Sequence, residues 1–224
     1  MNTTEIITGV HQIDLNGVNA FLIETDDGLV LIDTGNPGSS TIVLNAVKSI
    51  GKTASDLKHI LVTHMHPDHM GGLAELVSAT NARSYAHPLD APIISDGALF
   101  NPARNLPRAF YPAPGMEESF AKFISGEFNI VGSPIDQEIN EGDVLPFLPD
   151  LDIIFAPGHS AGQVIFLLKR NGSILFVADC CSHFGALHWS LGYEDLDEAK
   201  RSLKKLCARD FQIAVFGHGV PIMT

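Results

Sequence analysis

The sequence predicts an α/β protein forming one domain over residues 1–224, and three observations carry that expectation. The chain has 224 residues, 45% of them hydrophobic, which is enough to bury one sizeable core. Short apolar runs of strand length alternate with longer segments of helical period. Histidines and aspartates recur where the apolar runs end. With charged residues at only 18%, nothing in the composition points to disorder.

Residues 10–15 and 18–24 alternate well enough for an antiparallel pair, with Asn16-Gly17 as the turn. Residues 29–32 form a short apolar strand ending in Asp33-Thr34-Gly35. Ser39 or Ser40 caps a helix that runs to about residue 50, where Gly51 stops it. Residues 60–63 make a strand that leads straight into His64, and 72–79 read as the next helix. Residues 88–134 differ in character. Pro88, Pro92, Pro102, Pro107, Pro112, Pro114 and Pro134 fall there, so long regular elements are not expected across most of it. A short helix over 117–125 is the exception. This segment reads as a lid or binding loop, with a solvated connection as the plainer alternative.

Strand patterns return at 151–156, which leads into Pro157-Gly158-His159. They continue at 164–168 and 174–178, joined through the turn Asn171-Gly172. Residues 193–208 read as an amphipathic helix with Leu196, Ala199, Leu203 and Leu206 on one face. A last strand over 213–216 delivers His218.

The formal net charge is −12, from 14 Lys and Arg against 26 Asp and Glu. Nucleic acid and anionic membrane are therefore poor partners, because phosphate neutralisation needs clustered basic side chains. A small-molecule substrate is expected instead, and a homo-oligomer is left open. Cys180, Cys181 and Cys207 are odd in number and two are adjacent, which argues against a disulfide scaffold. No run approaches the roughly 18 to 20 apolar residues of a membrane span, and the first residues carry no signal pattern, so a cytoplasmic protein is expected.

The sharpest local signal is His64-Met65-His66-Pro67-Asp68-His69. His64 and His66, two apart in an extended segment, point the same way. Pro67 rigidifies the bend, and Asp68 and His69 then face a neighbouring position. Imidazole and carboxylate suit a borderline ion such as zinc. A lone loop histidine is usually structural, but three histidines and an aspartate in six residues would otherwise crowd polar groups for no gain. His159, Asp179 and His218 each sit at the end of a predicted strand. If those ends share one sheet edge, all seven residues converge.

This run, followed by distant His, Asp and His at strand ends, resembles the metallo-β-lactamase-fold superfamily. Asp33-Thr34-Gly35 and Gly71-Gly72 also match, and the resemblance covers the chain from about Val10 to His218. It implies an αββα sandwich with two divalent ions at one edge, zinc being favoured and iron or manganese the alternatives. By motif position, His64, His66 and His159 resemble the ligands of the first ion, and Asp68, His69 and His218 those of the second. Asp179 resembles the carboxylate that bridges both. Asp33 resembles the aspartate that orients the metal-binding loop; its plainer reading is a turn residue.

Two such ions roughly 3.5 to 4 Å apart share a water and lower its pKa towards neutrality. The implied activity is hydrolysis of an ester-like bond, whether thioester, lactone or carboxylic ester, by a metal-bridging hydroxide, with Asp68 as the catalytic group that guides a proton. The alternative class is a mononuclear iron oxidoreductase similar to the persulfide dioxygenases. Cys180 and Cys181 read as packed near the site rather than bound to metal. Tyr111, His183, His188 and Trp189 are candidates for substrate contact. Phe100, Phe110, Tyr111 and Met116 either wall the pocket or pack the lid.

Overall fold

A computed structural model describes residues 3–97, 110–124, 130–170 and 172–223. Strands β1 (Thr3–Ile7), β2 (Val10–Asp14), β3 (Asn19–Thr25) and β4 (Gly28–Ile32) form an antiparallel meander. Asn16 and Gly17 make the expected β2–β3 turn, with φ of 65° and 107°. A two-residue hairpin of type I′ needs positive φ at both positions, which Asn and Gly tolerate best.

Helix α1 (Ser40–Ser49) follows Ser39, as expected, but the Ser39 side chain makes no capping bond. Glu75 holds the start of the helix instead through its flanks, accepting from the Gly38 N–H and the Ser40 hydroxyl. Strand β5 (Leu57–Leu61) pairs parallel with β4. It starts and ends before the expected 60–63, because Lys58 and His59 interrupt its apolar pattern. The single turn α2 (Pro67–Met70), helix α3 (Leu73–Thr80) and strand β6 (Arg83–Ala86) come next.

Helix α4 (Ala91–Asp96) lies inside the proline-rich segment. Pro92 occupies its first turn, where a missing N–H is no loss. Of the rest of that segment, the structure describes β7 (Tyr111–Pro112) and α5 (Glu117–Ile124). Residues 98–109, Phe100 included, and Ser125 lie outside the described residues. Strand β8 (Gln137–Glu138) then pairs parallel with β6. The first sheet has the order β1-β2-β3-β4-β5-β6-β8.

Strands β9 (Leu151–Phe155), β10 (Val164–Leu168) and β11 (Ile174–Phe176) begin the second sheet. Asn171 lies outside the described residues. The expected strand over 174–178 stops early because the chain leaves extended geometry at Ala178, whose φ is 48°. A hairpin of β12 (Ser182–His183) and β13 (Leu187–His188) follows, and β14 (Gly192–Tyr193) pairs back to β7. Helix α6 (Leu196–Cys207) begins three residues later than the pattern suggested. Asp195 is its N-cap, accepting from the Glu198 N–H at 2.9 Å, so Tyr193 stays outside the helix. Strands β15 (Ile213–Val215) and β16 (Ile222–Met223) complete the order β16-β15-β11-β10-β9.

The two sheets pack face to face. Phe21, Ile23, Val30 and Ile32 of the first meet Ile153, Phe166, Phe176 and Val215 of the second in one buried cluster. Phe21 and Phe176 make an edge contact at 5.2 Å between centroids. The alternate residues Ala20, Leu22, Leu29 and Leu31 point outward onto Val43 and Val47 of α1 and Leu73 and Leu76 of α3. On the far side, Ile165, Leu167 and Leu175 pack beneath Leu206 of α6. With apolar side chains on both faces, the strands read as unbroken hydrophobic runs. The layers are helix, sheet, sheet, helix, and the metallo-β-lactamase fold anticipated above is the fold observed.

Candidate metal centre

The loops that leave β5, β9, β11 and β15 bring seven side chains to one end of the sandwich. His64, His66, Asp68 and His69 come from the first sheet's side, and His159, Asp179 and His218 from the second. Three overlapping groups result: His64 with His66 and His159, His64 with His69 and Asp179, and Asp68 with His69 and His218. Within each group one donor atom per residue lies within 4.8 Å of the others. His66 Nδ1 stands 3.1 Å from His64 Nε2 and 2.8 Å from His159 Nε2. Asp179 straddles the groups, with Oδ1 3.3 Å from His69 Nε2, and Oδ2 3.4 Å from both His159 Nε2 and His218 Nε2. His218 Nε2 is also 3.2 Å from Asp68 Oδ2.

Four of the imidazoles have their outer nitrogen fixed by the protein. His159 Nδ1 donates to the Gly192 carbonyl and His218 Nδ1 to the Gly17 carbonyl, each at 2.7 Å. His69 Nδ1 donates to Asp33 Oδ2 at 2.8 Å. The Thr63 hydroxyl lies 2.8 Å from the same Asp33 oxygen and donates to it, so it accepts from His64 Nδ1 at 2.9 Å. With Nδ1 committed as the donor, Nε2 is the nitrogen each of these rings turns inwards, which in the neutral ring is the tautomer a metal requires. Asp33 has φ of 60°, and its Oδ1 also accepts from the Thr63 N–H. The aspartate read as orienting the metal-binding loop thus reaches both His64 and His69.

Two buried polar atoms here have no hydrogen-bond partner, His69 Nε2 and Asp179 Oδ1. An imidazole nitrogen buried 3.3 Å from a carboxylate oxygen is costly in a folded protein unless a proton or a metal cation lies between them. This donor set, imidazole and carboxylate with no thiolate, fits a divalent ion such as zinc.

The charges respond to the crowding. Burial pushes His64 and His66 well below the ordinary imidazole range, and neighbouring histidines push them further. Burial alone would also lower His69, but Asp179, Asp68 and Asp33 overcome it and raise its pKa to about 10. His218 is raised in the same way by Asp179 and Asp68 against its burial. Burial opposes ionisation of Asp68 and Asp179, yet the facing histidines hold both below the usual carboxylate range. Without a cation, the cluster keeps protons on His69 and His218 to balance its carboxylates.

A cavity of about 360 Å³ opens above this floor. Its other walls are mostly apolar, with Phe110, Met116, Phe184, Trp189 and Leu191 beside Ser119, Ser182 and Ser190. Of the substrate candidates, Trp189 lines it. His188 lines a neighbouring cavity instead. Tyr111 is 62% exposed in β7 and lines neither. His183 also lines neither, its Nδ1 donating to the Val220 carbonyl. Cys180 accepts from Gln163 Nε2, and Cys181 is buried with its thiol pushed up to about 12 by burial; neither enters a ligand group.

Several supports were not visible in the sequence. Asp90 is fully buried and ties the two histidine loops together, accepting from Met65 N, Ser160 Oγ and Gly162 N at 3.1, 2.6 and 3.0 Å. Asn19 holds the His218 loop by donating to the Phe216 and Gly219 carbonyls. Gln163 Oε1 accepts from the Asp179 N–H. Gly217 approaches so closely that a Cβ there would stand 2.3 Å from Asp179 Oδ1.

A β-sandwich flanked by helices, with a His-rich and Asp-rich centre at one edge, defines a class of metal-dependent hydrolases. The family model described as the metallo-beta-lactamase superfamily matches residues 13–218, and the chain belongs to that superfamily. It is 27% identical over 238 residues to "Probable metallo-hydrolase YflN" of Bacillus subtilis, covering 97% of this chain and 86% of that protein. It is 24% identical to an N-acyl homoserine lactonase of Bacillus thuringiensis, covering 89% and 80%. Among solved structures, it is similar to a beta-lactamase from Chitinophaga pinensis at a TM-score of 0.74 and 22% identity, covering 97% of this chain and 78% of that one. The subclass B3 enzyme BJP-1 of Bradyrhizobium japonicum gives 0.71 and 24%, with the same coverages. Among the described residues no helix is long and apolar enough to cross a membrane.

Proposed function

We propose that this chain is a dinuclear metal-dependent hydrolase of ester-like bonds, with lactones, thioesters and carboxylic esters as the substrate range. One observation carries the reading: seven metal-suited donors cluster together, and five of them, His66, Asp68, His159, Asp179 and His218, form the floor of a cavity whose remaining walls are largely apolar. The lactonase similarity favours a lactone within that range. His64, His66 and His159 would hold one divalent ion, and Asp68, His69 and His218 the other, with Asp179 between them. Zinc suits these ligands best. Bound there, the pair supplies Lewis acidity and a nucleophile drawn from water at neutral pH.

The protein's own part is orientation and proton management. Asp33, Thr63, Gly192 and Gly17 fix the histidine tautomers, so no ring must turn during the reaction. Asp68 is half-buried at the cavity floor, where its carboxylate can take a proton from the attacking water and return it to the leaving group. Phe110, Met116 and Trp189 exclude bulk water and hold the uncharged part of the substrate.

Metal analysis combined with a panel of lactones, thioesters and esters tests this reading. About two zinc ions per chain, and turnover that chelation abolishes and zinc restores, is the expected result. About one iron per chain, with oxygen consumed in the presence of a persulfide, would place the protein among oxidoreductases instead.

A further inference from the structure

A second cavity, of about 420 Å³, adjoins the metal cavity, and Met116 and Trp189 line both. Pro114 and Leu187 add to its wall, and Leu203 and Cys207 of α6 form its far side. Among the described residues that line it there is no Asp, Glu, Lys or Arg. The β12–β13 hairpin carries a large, exposed apolar side chain to each cavity. Phe184, 64% exposed, lines the metal cavity, and Leu187, 62% exposed, lines the second. Exposed apolar side chains grouped around two adjoining cavities gain stability only when something apolar covers them.

We propose that this second cavity is the subsite for the substrate's hydrocarbon tail, and that it makes the enzyme select esters or lactones with a long acyl chain. This inference rests on the hydrolase reading above. With the reacting carbonyl over the metal floor, the acyl chain crosses Met116 and Trp189 and continues between Leu187 and Leu203. An uncharged, apolar tail matches a wall without ionised side chains. A carboxylate-bearing tail would have to leave water there without a cationic partner. Chain length is then read by burial, at roughly fourfold in affinity for each methylene that fits.

Trp189 is the single tryptophan of the chain, so its fluorescence reports on this subsite directly. Butanol, hexanol and octanol serve as probes that need no turnover. The expected result is a saturable fluorescence change whose dissociation constant falls about fourfold per methylene. Leu187→Lys places a charge at an exposed position, and Leu203→Phe fills the far wall. Both variants should raise the octanol dissociation constant tenfold or more.

In turnover, kcat/KM for esters of one alcohol should climb from acetyl to decanoyl in the wild type. The two variants should lose at least tenfold at the long end and stay within twofold for acetyl. Parallel chain-length profiles in wild type and variants would overturn the proposal, as would octanol leaving Trp189 unaffected. A concentration-dependent dimer with no alkanol response would assign the apolar patch to a second copy and overturn it too. If no ester, thioester or lactone is cleaved, the hydrolase reading fails, while the alkanol titration still decides whether the subsite exists.

Discussion

His69 Nδ1 and Asp33 Oδ2 lie 2.8 Å apart, both buried, and this contact fixes which nitrogen of His69 faces the candidate metal centre. The same carboxylate acts through Thr63 on His64. Replacing it by an amide, Asp33→Asn, should weaken metal binding by about 10- to 100-fold, because both tautomers lose their anchor. Competition against a zinc-chelating dye measures this. Wild-type affinity in the variant would reduce Asp33 to a turn residue.

Asp68 makes a different prediction. It is only half-buried and leads into one short helical turn, so Asp68→Ala should leave the fold intact. Activity should fall by at least 100-fold, because a ligand and the proton-handling carboxylate are both removed. Circular dichroism and turnover on the best substrate give the comparison. Near-normal turnover would contradict the assigned role.

Proton release should accompany metal binding. The pKa of His69 is raised from 6.5 to about 10 in the metal-free fold, and His218 is raised as well. Metal binding must displace these protons, so loading at pH 7 should liberate on the order of two per chain. Affinity should rise with pH until His69 loses its proton at about 10. For the metal-free protein, the stability contributed by His69 is complete below pH 6.5 and is lost as pH rises through about 10. Asp68 and Asp179 are shifted the other way. Their contribution is present above pH 3.8 and is lost as pH falls through their lowered values. Calorimetry in buffers of different ionisation enthalpy counts the protons. Zinc binding without proton release at pH 7 would show that both rings are already neutral.

Asp90 supports the site from behind. Asp90→Ala would leave three donors from two ligand loops without their acceptor, at a cost of about 3 kcal/mol in stability. A urea melt reads this as a lowered midpoint with an unchanged slope. An unchanged midpoint would mean that water replaces the carboxylate without loss.

The clustering of the candidate donors was legible because four of them sit within six residues and the other three end apolar runs. The αββα layering was legible through resemblance to a known motif order, and most strands through their hydrophobic pattern. What remained hidden depends on contacts distant in sequence. Asp90 reaches partners 25, 70 and 72 residues away, and no local spacing marks it. Asn19 looks like an ordinary strand residue until the His218 loop arrives nearly 200 residues later. Helix α4 was masked by the prolines around it. Tyr111 is suggested by the aromatic residues of its segment and His183 by its closeness to Asp179, but Tyr111 is exposed in β7, His183 donates to the Val220 carbonyl, and neither lines the metal cavity.

Each of the three candidate ligand groups draws residues from both halves of the chain, so each group is complete only when the two halves meet. A bound ion would act as a suture across the two sheets, joining loops that otherwise meet only through side-chain packing and hydrogen bonds. Co-expressed fragments split between α5 and β9 would then reassociate in a zinc-dependent way, and the enzyme's assembly would double as a sensor of metal supply.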